Sequence, residues 1–273
     1  MNKLEKFYDY LLIKRNFSQV IIHNYKQTLS KFFRNVGIQK PKVKYIERYI
    51  AEMHRKQYSY SHIGNTSVIL ENYMRFIGRK INLSRPRKPK QIIKNTLTEG
   101  EIARMLAATK NEREKAFIAI LAYSGIRNKE LCSLKSEDVD LDNQYLRVIS
   151  EKGNKDRIVY ISKECAKIIT EYTSKFKRTD TYLFTTLKKR NQYSTWDLRK
   201  MVKIISKRAG IKKRVYPHLF RHSLACNLLN RGANIMTIKE QLGHADIRTT
   251  LIYTHSTPQR VQQEYNFYCP NYN

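Results

Sequence analysis

The sequence predicts a mainly α protein with one small antiparallel β-sheet, arranged as an N-terminal helical bundle followed by a larger C-terminal domain. Three observations lead there. Apolar residues recur at helical spacing through residues 1–80 and again through most of the second half. One pair of β-rich runs, Tyr145–Ser150 and Arg157–Ile161, flanks the turn signal Gly153-Asn154. Between the helical regions, residues 81–95 lose that periodicity and carry Pro86 and Pro89, which stop a helix.

Within residues 1–80, Leu4, Phe7, Tyr8, Leu11 and Leu12 form the stripe of a first helix. Ser18 is placed to cap a second, which carries Val20, Ile21, Tyr25, Leu29, Phe32 and Phe33. Two more helices are predicted, from Tyr45 to Met53 and from His62 to Phe76, the latter with Val68, Ile69, Tyr73 and Phe76 inward. Residues 81–95 read as a basic linker. The run Ile81 to Lys90 has two prolines and no acid, and Arg85, Arg87, Lys88 and Lys90 are expected either to be solvated or to lie along a phosphate backbone.

The second domain, residues 96–273 with a C-terminal tail, opens on a capping box. Thr98 and Glu101 are spaced so that each satisfies a free N–H at the start of a helix. Helices are predicted to about Tyr123 and again from Arg127 to Leu134, then the hairpin. After Ser162 the chain reads as helix, with a short strand at Tyr182-Leu183-Phe184.

Charge narrows the function. The 273 residues hold 53 Lys and Arg against 23 Asp and Glu, a formal net charge of +30 and a pI of about 10.0. A hydrophobic content of 41% supplies a folded core, so the basic excess belongs to a folded surface rather than a disordered tail. Nucleic acid is the expected polyanion, because neutralising phosphates releases counterions. Apolar runs are too short to span a bilayer and the N-terminus has no signal-peptide core, so a cytoplasmic protein with no membrane partner is expected. Cys132, Cys165, Cys226 and Cys269 are too scattered for a C-x-x-C motif and are read as reduced and structural. With no metal-binding or nucleotide-binding motif, neither metal nor cofactor is expected.

Several polar residues sit where they can serve a phosphodiester. Arg127, after Ser124-Gly125 at a helix start, is either a phosphate ligand or a surface arginine. His218 and Arg221, spaced i, i+3 in a helix opening near Pro217, share a face that offers a proton-transfer group and a phosphate clamp, or a solvated polar edge. His222 is expected to point elsewhere. His244 follows Gly243, and Tyr253 comes nine positions after it. One tyrosine among 19 is ordinarily structural. Lys152 sits at the hairpin tip, with Lys155 a close competitor.

Taken together and in order, Gly125-Ile126-Arg127-Asn128-Lys129-Glu130-Leu131, the hairpin Lys152 to Arg157, the His218/Arg221 pair, Leu242-Gly243-His244 and Tyr253-Thr254-His255 resemble the tyrosine recombinase (integrase) family, and its Xer-type members most of all. The motif-bearing match runs over roughly residues 98–256, and the N-terminal bundle resembles the family's SAM-like core-binding domain. Glu151, Phe220 and Tyr160 depart from residues common in the family, and none removes a catalytic group.

The resemblance implies a site-specific recombinase. Tyr253 would attack the scissile phosphate, forming a 3′-phosphotyrosyl bond and releasing a 5′-hydroxyl. Arg127 and Arg221 would stabilise the transition state without a metal. Lys152 would protonate the leaving oxygen, His218 would accept the tyrosine proton, and His244 would brace a non-bridging oxygen. The implied partners are double-stranded DNA carrying a specific site and a homo-tetramer assembled on two duplexes, with an activating protein left open. Residues 257–265 are expected to dock on a neighbouring protomer. Chromosome dimer resolution and mobile-element integration both fit this reading. A type IB topoisomerase and a non-catalytic DNA-binding protein on the same fold are the alternatives.

Overall fold

The computed structural model describes residues 3–37, 42–84, 96–149, 156–175, 181–186, 192–244 and 246–251. The chain divides into two compact units that part between Ile92 and Ile93, each with its own core.

The first unit has four helices, α1 (Lys3–Ile13), α2 (Gln19–Val36), α3 (Val43–Arg55) and α4 (Tyr60–Phe76). Their inner residues are Phe7 and Leu11 from α1, Leu29 and Phe32 from α2, Ile46 from α3, and Ile63, Leu70 and Tyr73 from α4. Each fully buried side chain of this size contributes about 1.5–3 kcal/mol. Phe7 meets Tyr73 edge-on at 5.3 Å and Phe76 at 5.1 Å. The stripe of α2 differs from expectation. Ile22, Tyr25, Leu29 and Phe32 keep one 3-4-3 line inward, which leaves Val20 and Ile21 exposed on the far side. Leu12 is likewise exposed, one residue past Leu11. Ser18 occupies the N-cap of α2 with no side-chain capping bond, whereas Ser59 of α4 accepts the His62 N–H at 3.2 Å. Where the chain leaves α4, the buried Glu71 carboxylate accepts the Leu83 N–H at 2.9 Å.

The second unit is built around one buried helix. It comprises α5 (Glu99–Ala107), α6 (Glu112–Ser124), α7 (Asn128–Ser133), β1 (Val139–Asp140), β2 (Tyr145–Val148), β3 (Arg157–Tyr160), α8 (Lys163–Lys175), α9 (Thr195–Arg208), α10 (Pro217–Asn230), α11 (Ile235–Leu242) and α12 (Arg248–Leu251). The expected capping box opens α5, with Thr98 Oγ1 accepting from Glu101 N and Glu101 Oε2 accepting from Thr98 N. Residues 116–122 of α6 are all buried, as a helix apolar on every side must be. Helices α8 and α10 pack against it.

The hairpin strands form in the expected places, with Tyr145 opposite Tyr160, Leu146 opposite Val159 and Val148 opposite Arg157. Leu146, Val148 and Val159 face the core while Ile158 and Tyr160 face out. Period-two alternation therefore puts Arg157 on the inner face. A two-residue strand, β1, completes a three-stranded sheet. At that length its sequence carries no periodic signal. The strand expected at Tyr182-Leu183-Phe184 does not form. Tyr182 makes only an isolated bridge to Lys135, and Leu183 N donates to Leu134 O at 2.8 Å. Phe184 there is a core residue stacked on Phe117 at 3.8 Å, which explains its apolar signal.

Candidate active site

Two chain turns and one strand of the second unit converge. The first follows α6. Gly125 takes a left-handed φ of 66°, which turns the chain out of the helix, and its missing side chain leaves room for Leu242 and Leu224. A Cβ there would lie 2.7 Å from Leu242 Cδ2 and 3.0 Å from Leu224 Cδ2. Ser124 Oγ accepts the Ile126 N–H at 3.2 Å and fixes the turn, so Arg127 arrives at the N-cap of α7.

The second turn ends α11 at Gly243, also left-handed at φ 64°. Here the two expected arginines meet. Arg221 of α10 donates through Nη1 to Gly125 O at 2.8 Å and through Nη2 to Leu242 O. Arg127 donates through Nη2 to the next carbonyl, Gly243 O, at 3.0 Å. Two consecutive carbonyls at the negative end of α11 thus anchor two guanidiniums. Their exposure differs sharply. Arg221 is enclosed, with 1% of its surface exposed, whereas the Arg127 side chain is 43% exposed.

The third element is β3. Arg157 donates to both oxygens of Glu130, at 2.9 and 2.8 Å. The same carboxylate accepts the backbone N–H of Arg127 at 2.7 Å and its Nη1 at 2.7 Å. Gln241 adds a further tie. Its Nε2 donates to Tyr160 O at 2.8 Å and to Ser124 O at 3.2 Å, and its Oε1 accepts the Tyr160 N–H at 3.1 Å. The end of α11, the end of α6 and β3 are thereby fastened to one another.

Histidines line the same region. Pro217 opens α10 at its first position, which sets His218 in the first turn with part of its ring exposed. His244 Nδ1 lies 2.8 Å from the hydroxyl of the buried Thr250 of α12. His222 does not point away, contrary to expectation. Its ring centre is 4.5 Å from that of His218, because residues four apart share a helix face.

The electrostatics favour neutral imidazoles. Burial, then the Arg221 and Arg127 charges, holds His218 below the ordinary histidine value. Burial first, then Arg221, Arg127 and the other two histidines, pushes His244 down to about 4. Burial, His218 and Arg221 do the same to His222, also to about 4. Burial alone would raise Glu130, but the hydrogen bonds and charges of Arg157 and Arg127 outweigh it and hold the carboxyl at about 2. At neutral pH the region offers fixed guanidinium donors, one fixed carboxylate and neutral imidazoles.

Of the residues singled out in the sequence, Arg127, His218, Arg221 and His244 come together in the described structure. Lys152, Lys155 and Tyr253 lie outside the described residues, as do Arg85, Arg87, Lys88, Lys90 and the tail 257–265. Glu130, Arg157 and Gln241 were missed. Glu130 did carry a signal, since an acid three positions after an N-cap residue is half of a capping box. Arg157 carried one too, as a charge in phase with buried Val159. Among the described residues no three His, Cys, Asp or Glu side chains are placed to hold a metal, and no helix is long and apolar enough to cross a membrane.

Residues 95–260 match the phage integrase family, and residues 4–80 match the phage integrase N-terminal SAM-like domain. A tyrosine recombinase XerA of Pyrococcus horikoshii is 35% identical over 266 residues, covering 95% of this chain and 91% of the relative. A crystal structure of XerA recombinase superposes with a TM-score of 0.59 at 32% identity, covering 99% of each chain. A XerH recombinase, solved bound to its difH substrate in a pre-cleavage complex, shares the fold with a TM-score of 0.74 at 21% identity, covering 97% of this chain and 84% of that one.

Proposed function

This chain belongs to the phage integrase family, the tyrosine recombinases that cleave and rejoin DNA strands, and from that premise we propose that it is an Xer-type site-specific recombinase working at the site just described. The observation that carries this reading is the joint anchoring of Arg127 and Arg221 on the Gly243 and Leu242 carbonyls, directly before His244. Two planar cations at one turn suit a phosphate whose non-bridging oxygens gain charge as it is attacked.

In this reading the phenolic oxygen of Tyr253 attacks phosphorus, and the bond to the 5′-oxygen breaks. His218, kept neutral by burial and by both arginines, takes the tyrosine proton. Lys152 gives a proton to the departing 5′-oxygen, so a 3′-phosphotyrosyl bond and a free 5′-hydroxyl result. His244 steadies a non-bridging oxygen from its place beside Thr250. The phosphotyrosyl bond keeps the energy of the broken linkage, so a 5′-hydroxyl from a partner duplex rejoins the strand with no nucleotide cofactor.

The DNA partner is a duplex with a defined site, and a homo-tetramer on two such duplexes completes the exchange. Net charge +30 supports a phosphate-facing surface. We read residues 1–80 as the core-binding domain, 81–95 as a basic linker whose Arg85, Arg87, Lys88 and Lys90 contact phosphates, and 96–273 as the catalytic domain. Relatives named as Xer recombinases match nearly the full length of the chain, and both chromosome dimer resolution and mobile-element integration fit this reading.

The test selects a binding site from random duplexes, places a nick in it, and compares wild type with Tyr253→Phe. A denaturation-resistant adduct lost in the variant is the expected result. An adduct that survives in Tyr253→Phe moves the nucleophile elsewhere, and binding without any adduct overturns the enzymatic assignment of this site.

A further inference from the structure

We propose that Arg157 is a positioning residue for strand cleavage: from the inner face of β3 it holds the Glu130 carboxylate that orients Arg127, and it underlies the Gly243 turn that presents His244. The inference rests on the recombinase reading of this site and assigns a role that reading leaves empty.

Three observations converge. Arg157 sits in phase with buried Val159, opposite buried Val148, where an aliphatic side chain would be the ordinary choice. Only 17% of its side chain is exposed. A charge placed there is costly unless paired, and both outer nitrogens are paired, in parallel, with the two oxygens of Glu130. Glu130 in turn accepts from the backbone and from Nη1 of Arg127. The planar fork of Arg157 therefore fixes the plane of the carboxylate, and that plane fixes Arg127.

The third observation is at Gly243. A Cβ on that residue would overlap Cδ and Nε of Arg157 and lie 2.9 Å from its Cζ. The guanidinium stem occupies the space that a side chain would need, so the backbone of the turn rests on Arg157. That turn supplies the carbonyl that takes Arg127 Nη2, and His244 follows it. Arg157 thus touches both groups that hold Arg127, Glu130 on one side and Gly243 on the other. Its two outer nitrogens pair with Glu130 and its Nε is buried without a hydrogen-bond partner, so it acts through Arg127 rather than on the phosphate.

The experiment uses the full chain on a nicked site, at saturating DNA, with single-turnover adduct formation as the readout. Arg157→Lys keeps the charge and the stem but makes no parallel pair; Arg157→Gln removes the charge. In both, cleavage is expected to fall about 10–100-fold, the scale of a small misplacement of a catalytic group, while DNA affinity changes less than about threefold. Because Arg157 acts through Glu130, the double variant Arg157→Gln/Glu130→Gln is expected to be no slower than the slower single variant.

Wild-type cleavage by Arg157→Gln overturns the proposal. So do multiplicative losses in the double variant, a loss of DNA affinity that matches the loss of cleavage, and failure of both single variants to fold. A Tyr253→Phe control separates the two levels. If wild type forms no adduct, the recombinase reading fails and takes this proposal with it. If the wild-type adduct forms and Arg157 is indifferent, this proposal fails alone.

Discussion

Replacing Glu130 by glutamine keeps the side chain's size and removes its charge. The carboxyl is held at about 2 against an ordinary value of 4.5, with burial opposing the shift and Arg157 and Arg127 outweighing it. At about 1.4 kcal/mol per pKa unit, that displacement corresponds to about 3 kcal/mol of charge-dependent stability. The side chain is 16% exposed, so solvent screening removes little of it. At about 2–4 °C per kcal/mol, the catalytic unit of Glu130→Gln should melt roughly 6–12 °C below wild type. The sign with pH follows from the direction of the shift. A carboxyl depressed on folding contributes fully above its unfolded value, and the contribution is lost as pH falls through the folded value. The gap between the two proteins should therefore be constant from neutral pH to about 5 and shrink by more than half by about pH 3. Scanning calorimetry of both full chains across that range measures it. A gap below about 2 °C at neutral pH, or one that does not narrow on acidification, refutes the assignment of Glu130 as the charge that fastens both arginines.

Three further outcomes are expected. Gly125→Ala places a Cβ 2.7 Å from Leu242 Cδ2 at a φ of 66°, so urea unfolding should show about 2–4 kcal/mol of lost stability. Adduct formation by that variant should also fall, because Gly125 O holds Arg221. The His218 imidazole is depressed by burial, Arg221 and Arg127, so its basic form persists as pH drops below the ordinary 6.5. Adduct formation at limiting DNA, which reports the free enzyme, should have its acid limb centred below 6.5, and a limb at or above that value counts against His218 as the proton acceptor. Burial pushes the thiols of Cys132 and Cys165 up to about 12, so alkylation at mild alkaline pH should spare both in the native protein and reach them once it is unfolded, as read by mass spectrometry.

The parts of the molecule that were legible in the sequence are those with a local cause. The Thr98/Glu101 capping box, Pro217 at a helix start and the hairpin strands depend on neighbours within a few residues, and each stands where expected. Arg127, His218, Arg221 and His244, singled out through their order along the chain, do come together in the fold. What escaped has its cause in distant packing. Val20 and Ile21 are as apolar as Ile22, and only the bundle decides which of them turns inward. The apolar run at Tyr182 reads as a strand until Phe184 is seen stacked on Phe117, far away in sequence. His222 was misjudged by a simple slip of helical phase, since a spacing of four residues is nearly a full turn. Glu130 and Arg157 were each visible as an ion without an evident partner. That they serve one another across 27 positions could be read only from the fold.

The end of α11 has a consequence for how such a pocket is put together. Both guanidiniums are moored to adjacent peptide units of one eight-residue stub of chain. A displacement of that stub by the length of a hydrogen bond removes one anchor from each cation together. The two cations therefore share one mooring, and each keeps a second hold elsewhere, Arg221 on Gly125 O and Arg127 on Glu130. Moving this one short helix disturbs two charged groups at once through backbone alone, with no change to either side chain.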